Sequence, residues 1–572
     1  MRATPLIDHQ DCAKLLIITH ESIGEKMAGP GIRAWEIALA LSQQGVDVTL
    51  ATPSLGNRSG ASIQLREFSW DDPKSLLDLI NDVQVVLSAG PLLARIIHFI
   101  GGPITKPTIA DIYDVAEIER IILQSPITPR HPDATAAIID EMFTYLRQGD
   151  YFICASEQQL DYWMGALMAA GRVNLHTLDS TLSLDHLISV VPFGLSNTPP
   201  KPSSPVMKGA IPGIDPQDKV IFWGGGIWEW TDPLGLMEAF KLLLRDRDDL
   251  RIVFGARHHF ENSLDSNMPV TAQLMDYVVR EGWLDKYVFF LDWIPYDQIG
   301  NYLLEADLGV SLFKQSIENR FAIRSRLFDY LWAECPCVVT DGDYMSQFLG
   351  KIGLAQVIAP GETAGIASAI LNSLERPRKE TRIPRKFAAQ IKQMYWSSTV
   401  QPILTFLREP RFAPDGEIAR RNLHNIAPLR RDWNDIRTER DHLRLQLERF
   451  SVERIQEQDV FQRERDRFQR DLEANLAEIN TLQLDNKNCQ GAQENCLRAL
   501  EEAHKEYEAL QTEHKSARLE NTELSHEYEK LQGESEKLQQ ECEILKTELK
   551  AYQNRRSVRI ADYLSRLIRR YR

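Results

Sequence analysis

The chain has few cysteines and none at metal-binding spacing. Its seven (Cys12, Cys154, Cys335, Cys337, Cys489, Cys496, Cys542) are scattered and odd in number, which argues against a disulfide framework and for a reducing compartment. No run reaches the roughly 18–20 apolar residues of a helical membrane span. The opening segment, MRATPLIDHQDCAKLLIITH, lacks the long apolar core and small-residue cleavage site of a secretory signal. The expected setting is the cytoplasm, free or on the inner face of a membrane. Positive charge is not in excess: the formal net charge is −15, so no nucleic-acid partner is expected. No helix carries two histidines at i and i+4 around an acid, so no catalytic zinc is expected.

What is present is a repeated alternation of short β-rich runs and helices. At 572 residues there is room for several domains. Lys14–Thr19, Val46–Ala51, Val83–Ser88, Thr108–Ile112 and Tyr151–Ala155 read as strands, with a helix over Ile32–Gln44. This predicts a parallel α/β sheet over 1–197. Residues 198–217 carry Pro199, Pro200, Pro202, Pro205, Pro212 and Pro216 and read as a linker. The pattern restarts at Val220–Trp223 and continues through Arg251–Phe254, Val288–Leu291, Leu308–Leu312 and Cys337–Thr340, giving a second α/β domain over 218–410. The expected fold class is α/β, two Rossmann-like domains facing a cleft. Ligands bind outside the carboxyl ends of such strands.

After a second linker at 411–430, glycine and proline nearly vanish. A seven-residue step runs through Leu510, Ala517, Leu524, Leu531, Leu538, Leu545 and Tyr552, with Tyr507, His514, Asn521, Tyr528, Ser535, Cys542 and Leu549 as its companion seam. The segment 431–553 reads as a left-handed coiled coil that pairs with a second copy or a partner, or else as one long solvated helix. Residues 554–572 are basic: RRSVRIADYLSRLIRRYR holds seven arginines against Asp562, with Ile560, Tyr563, Leu564, Leu567 and Tyr571 on one face. This reads as an anchor for an anionic membrane surface, or as a charged end to the coil.

Candidate chemistry lies in the loops after strands. In the first loop Gly29 and Gly31 let the backbone approach a ligand, and Arg33 adds a fixed charge. A phosphate or acceptor site and a plain helix start both fit. Asp111 and Asp114 end a strand and are acid/base candidates, with helix capping as the other reading for Asp114. The loop Gly224–Gly226, with Gly225 and Gly226 at its tip, precedes Trp228, Glu229, Trp230 and Asp232, which suit a sugar or a structural tryptophan pair. Arg257 follows a strand and suits a phosphate. The stretch FAIRSRLFDYLWAECPCVVTDGD sets Arg324 and Arg326 beside Asp329, with Arg320 and Glu318 just before it. Asp341-Gly342-Asp343 reads as a turn with capping acids rather than a metal triplet.

These pieces match a known pattern. KMAGPGIRAWEIALAL, TIADIYD, FICASEQQLDYWMG, VVPFG, FWGGGIWEWTDPLGLMEAF, VFFLDWIPY, YLLEADLGVSL and FAIRSRLFDYLWAECPCVVT cover about residues 14–400. Together they resemble the group 1, retaining, family 4-like glycosyltransferases of bacterial surface-polysaccharide clusters, which have the GT-B fold. The resemblance implies transfer from a nucleotide-sugar donor to a saccharide or lipid-linked acceptor, with retention and without a cofactor or metal. It places Asp329 on the donor's ribose hydroxyls. The family's other acid falls at Phe321, leaving Glu318 as the substitute. The family's Arg…Lys pair is missing, with Ile227 and Thr231 or Asp232 near its places, so Arg257, Arg324 and Arg326 inherit the diphosphate. Asp111 or Asp114 would position the acceptor. A sugar-nucleotide epimerase and a degenerate scaffold are the competing readings.

Overall fold

The computed structural model describes residues 13–58, 62–124, 132–178, 181–256, 269–376, 378, 383–424, 465, 467–471, 498–516, 530 and 537. The chain divides into two units, Met1–Asn425 and Ile426–Arg572.

The first unit holds two parallel sheets. The amino-terminal half runs β1 (Leu15–Ile18), α1 (Gly29–Ser42), β2 (Val48–Thr52), β3 (Gln64–Glu67), α2 (Pro73–Asn81), β4 (Val85–Ala89), α3 (Gly90–Phe99), β5 (Thr108–Asp111), α4 (Ala116–Gln124), α5 (Pro132–Gln148), β6 (Tyr151–Cys154), α6 (Glu157–Ala169) and β7 (Ile188–Val190). The second half runs β8 (Lys219–Trp223), α7 (Pro233–Leu243), β9 (Leu250–Phe254), α8 (Pro269–Arg280), β10 (Val288–Phe290), α9 (Ile299–Glu305), β11 (Leu308–Ser311), α10 (Ser325–Trp332), β12 (Cys337–Thr340), α11 (Tyr344–Lys351), β13 (Ala355–Ile358) and α12 (Thr363–Leu374). Four further helices follow: α13 (Ala388–Gln393), α14 (Trp396–Thr399), α15 (Gln401–Arg408) and α16 (Gly416–His424).

Strand order is β3-β2-β1-β4-β5-β6-β7 in one sheet and β10-β9-β8-β11-β12-β13 in the other. The central strands are short apolar runs buried on both faces, such as LLII of β1, YFIC of β6 and CVVT of β12. That pattern belongs to a sheet covered by helices on each side. Several helices start on a side-chain cap: Asp72 for α2, Ser156 for α6, Asp232 for α7 and Asp343 for α11. The order reverses between β1 and β4 and again between β8 and β11, where an open α/β sheet leaves a crevice at its carboxyl edge.

The edge strands β3 and β13 were not foreseen. Gln64–Glu67 is mostly exposed and polar, and Ala355–Ile358 is only half-buried, so neither shows the apolar run of a central strand. The proline-rich segment is not loose. Backbone N–H groups of Val206, Met207 and Lys208 donate to the Glu305 carboxylate at 2.7, 2.8 and 3.1 Å. The second expected linker is partly a helix. Asp415 pairs with buried Arg172 at 2.9 Å and Arg420 pairs with Asp150, tying α16 to the amino-terminal half. Composition could not show this, because the partners lie far away in sequence.

One apolar cluster spans both halves and includes Phe193, Phe328 and Trp396. Phe193 lies 6.2 Å from the Phe328 ring and 6.0 Å from Trp396. A side chain at Gly194 would meet Trp396 at 2.4 Å, so only glycine lets the chain pass here. Tyr151 stacks on Phe406 of α15 at 4.9 Å, so the chain returns to the first half after completing the second.

In the second unit, residues 498–516 are helical, with Leu510 half-buried and Leu500 and Tyr507 exposed. Most of the seven-residue repeat and all of the basic segment 554–572 lie outside the described residues. No helix among the described residues is long and apolar enough to cross a membrane.

Candidate active site

The halves meet through the loops that follow their strands. Gln159 Nε2 donates to the Phe321 carbonyl at 2.8 Å. Trp293 Nε1 donates to the Met27 carbonyl at 3.1 Å, and the Tyr296 N–H donates to the Glu25 carbonyl at 2.8 Å. The carboxyl ends of both sheets therefore border one cleft. Phe321 stands where the resemblance expects an acid. Its carbonyl and its ring, 5.1 Å from Tyr162, serve the seam between the halves instead.

Two helices line the cleft with a base and an acid three residues apart, hence on one face. These are Arg33 and Glu36 on α1, and Arg326 and Asp329 on α10. Their partners differ. Arg33 is 1% exposed. It grips Asp111 at two points (Nε–Oδ2 2.7 Å, Nη2–Oδ1 2.9 Å) and donates to the Val191 carbonyl at 2.9 Å. Arg33 and Asp111, expected as separate ligand contacts, are thus each other's partner. Two charges at this depth cost too much unpaired. Burial raises the Asp111 pKa despite Arg33.

The second half repeats this outcome. Arg324 is ion-paired with fully buried Glu318, donates to Asn319 Oδ1 at 2.9 Å and lies 3.7 Å from the Phe313 ring centroid. This corrects two expectations: Arg324 is not a free diphosphate contact, and Glu318 is not a free substitute acid. One Glu318 oxygen, Oε1, remains buried without a partner.

Arg326 is different. Its Nη2 donates to the Gly226 carbonyl at 3.1 Å, and Nη1 is buried with no partner. Burial lowers its pKa to about 10, helped by nearby Arg324. Above it Gly225 is exposed at φ +80, and a side chain there would lie 3.5 Å from the guanidinium. The bare Gly225 backbone thus leaves room beside the Nη2 side of a half-buried, half-satisfied cation, which suits an anion.

Asp329 is half-buried, and its carboxyl accepts no hydrogen bond among the described residues. Burial raises its pKa to about 7 against the pull of Arg326, and Glu36 raises it further. Asp114 is also pushed to about 7, by burial and then by Glu117 and Asp111. Glu119 of α4 reaches about 8 through burial, Asp114 and Glu318. Glu117 accepts from Tyr145 at 2.5 Å. The cleft is therefore polar in charge: acids gather near β5 and α4, while Arg326 stands under the second glycine loop. Glu36, Glu117, Glu119 and Tyr296 were missed in the sequence. An acid on the buried face of α1 was the available signal for Glu36.

Gly29 opens α1, which has no side-chain cap, and no atom lies within 4 Å of a side chain built there. Gly31 packs against its own loop, 3.2 Å from Glu21 Cβ. Trp228 and Trp230 stack in parallel at 5.5 Å. Ile227 and Thr231 are buried, and Asp232 caps α7 by accepting from Gly235 N at 2.9 Å. Those positions are structural here. Asp343 caps α11, as the turn reading expects. Arg257 lies outside the described residues.

Two doubly wound halves facing one cleft, with the chain crossing back at its end, make the GT-B glycosyltransferase fold. Solved structures are similar to it. Trehalose-6-phosphate synthase OtsA matches at TM-score 0.50 and 14% identity, over 70% of this chain and 100% of that one. Sucrose-phosphate synthase from Thermosynechococcus elongatus matches at 0.49 and 10%, over 69% and 98%. Anabaena HepE, solved with UDP and glucose, matches at 0.49 and 14%, over 69% and 100%. No protein-family model matches the sequence, and no curated protein matches it.

Proposed function

We propose that the protein is a glycosyltransferase that moves a sugar from a nucleotide-sugar donor to a saccharide or lipid-linked acceptor. The observation that carries this is Arg326, a half-buried cation whose Nη1 is unused, beside exposed Gly225 and on the same helix face as Asp329, whose carboxyl has no hydrogen-bond partner among the described residues. A diphosphate offers charge for the first and a ribose offers hydroxyls for the second. Trehalose-6-phosphate synthase OtsA is similar in fold.

In this reading the chain's work is orientation and charge. Arg326 and the N–H groups of the glycine loop stabilise the leaving diphosphate as negative charge builds on it. The acid-rich wall repels phosphate and so directs the donor's charged end toward Arg326. Asp114 and Glu119 face the acceptor side, where carboxyls suit sugar hydroxyls. Retention of configuration, independence from metal and a role in surface-polysaccharide assembly follow the family resemblance. The coiled coil and basic tail would hold the enzyme, as a homo-oligomer or on a partner, near an anionic membrane.

One observation favours a second reading, a degenerate scaffold: Arg33 and Arg324 are both neutralised by their own neighbours. Calorimetry with UDP- and GDP-sugars, followed by a hydrolysis assay, separates the two. Donor binding with slow hydrolysis supports the enzyme. Absence of binding across the panel sinks it.

A further inference from the structure

The cleft holds a second open carboxylate, on the opposite wall from Asp329. Glu36 is 9% exposed and accepts one hydrogen bond among the described residues, from Tyr296 OH at 2.9 Å. That bond crosses from α1 to the loop after β10. Among the described residues Glu36 Oε2 accepts nothing. Arg58 does not pair with it. Its Nη2 goes to Asp297 Oδ1 at 2.7 Å, and its guanidinium lies 4.5 Å from the Trp35 ring centroid. Tyr296 is thus bonded to Glu36 and within electrostatic reach of a second carboxyl, Asp329.

Asp111 and Asp415 use both oxygens on their arginines, and where Glu318 and Glu117 leave an oxygen without a partner that atom is sealed from solvent. The second oxygen of Glu36 is neither paired among the described residues nor one of the sealed atoms. Glu36 and Asp329, near enough for the charge of one to be felt by the other, both present acceptors unused among the described residues, with the Tyr296 O–H bonded to the first. A cation would compete there with Arg326 and Arg58. A ligand with adjacent hydroxyl groups donates to both walls without adding charge.

Resting on the nucleotide-sugar reading above, we infer that Glu36 is a donor-specificity residue supplied by the amino-terminal half. The donor's ribose hydroxyls take the place of the Tyr296 hydrogen bond and are held by Glu36 on one wall and Asp329 on the other. Donor binding then draws the halves together, because one sugar ring bridges both. A site built to receive hydroxyls also rejects an analogue lacking one.

The test is calorimetry on the full-length protein with UDP, GDP and ADP, each beside its 2′-deoxy counterpart. The wild type should bind the preferred ribonucleotide about tenfold or more tightly than the deoxy form, the effect of one lost hydrogen bond to a charged group. In Glu36→Gln that ratio should fall several-fold while deoxy affinity holds within about twofold. Tyr296→Phe removes the competing O–H and keeps the ring, so it should bind the ribonucleotide at least as well as wild type. A merely structural latch predicts equal losses for both nucleotides in both variants. An unchanged ribo-to-deoxy ratio in Glu36→Gln, with UDP or GDP still bound, overturns this inference alone. Failure of the wild type to bind any of the three overturns the functional reading and this inference with it.

Discussion

The Arg33 guanidinium and the Asp111 carboxylate, 78 positions apart, form a two-point ion pair in a site where both side chains are almost fully buried. The pair joins the start of α1 to the end of β5 and, through the Val191 carbonyl, to β7. It fixes the floor of the first half of the cleft.

Removing one partner should therefore unfold more than it disables. Arg33→Ala or Asp111→Ala leaves a bare buried charge and should cost about 3–5 kcal/mol. Denaturant titration followed by tryptophan fluorescence measures it. A loss under about 1 kcal/mol in both variants would show that the pair is not structural.

Arg326→Ala should weaken binding of a nucleoside diphosphate by at least about tenfold, the value of one charge-assisted hydrogen bond. The fold should be less affected, since its Nη2 donates only to the Gly226 carbonyl. Arg324→Ala should do the reverse, because it strands Glu318. Calorimetry paired with thermal melts reads both effects, and equal behaviour of the two variants would refute the distinction.

Stability should fall as pH rises toward 8. Asp114, Glu119 and Asp329 have folded-state pKa values of about 7, 8 and 7, all above their ordinary carboxyl values. Each binds its proton more tightly when folded, so its contribution is full below about pH 4 and is lost as pH passes through about 7 to 8. Melting temperatures between about pH 5 and 8.5 should decline. Asp114→Asn with Glu119→Gln should flatten that slope, and an unaltered slope would count against the raised values.

Deleting residues 555–572 should release the protein from vesicles containing anionic lipid, as read by co-sedimentation. The seven arginines are worth about 1 kcal/mol each near such a surface. Continued sedimentation of the truncated chain would exclude the tail as the anchor. Sedimentation velocity on chains ending near residue 430 should show loss of self-association if the heptads pair copies.

Much of the fold was legible. Strands such as β6 and β12 announce themselves as β-rich apolar runs between helices, and Asp343 was readable as a cap. The edge strand β3 was not, because polar Gln64–Glu67 carries no burial signal. That Arg326 and Asp329 share one face of a short helix was readable from their spacing. Arg33, Asp111, Glu318 and Arg324 were recognised as charged residues near strand ends, but not as pairs. Glu36 passed as one polar residue in an apolar helix.

The sequence by itself determined two α/β halves, their loops, and which residues carry charge at the carboxyl ends of the strands. Local periodicity and turn chemistry suffice for that. Only the tertiary structure decided which charges are consumed and which are left over. Pairing depends on desolvation and on partners brought together from distant segments, so Arg33 and Arg324 were spent on the scaffold, while Arg326, Asp329 and Glu36 kept hydrogen-bonding atoms that no described residue uses.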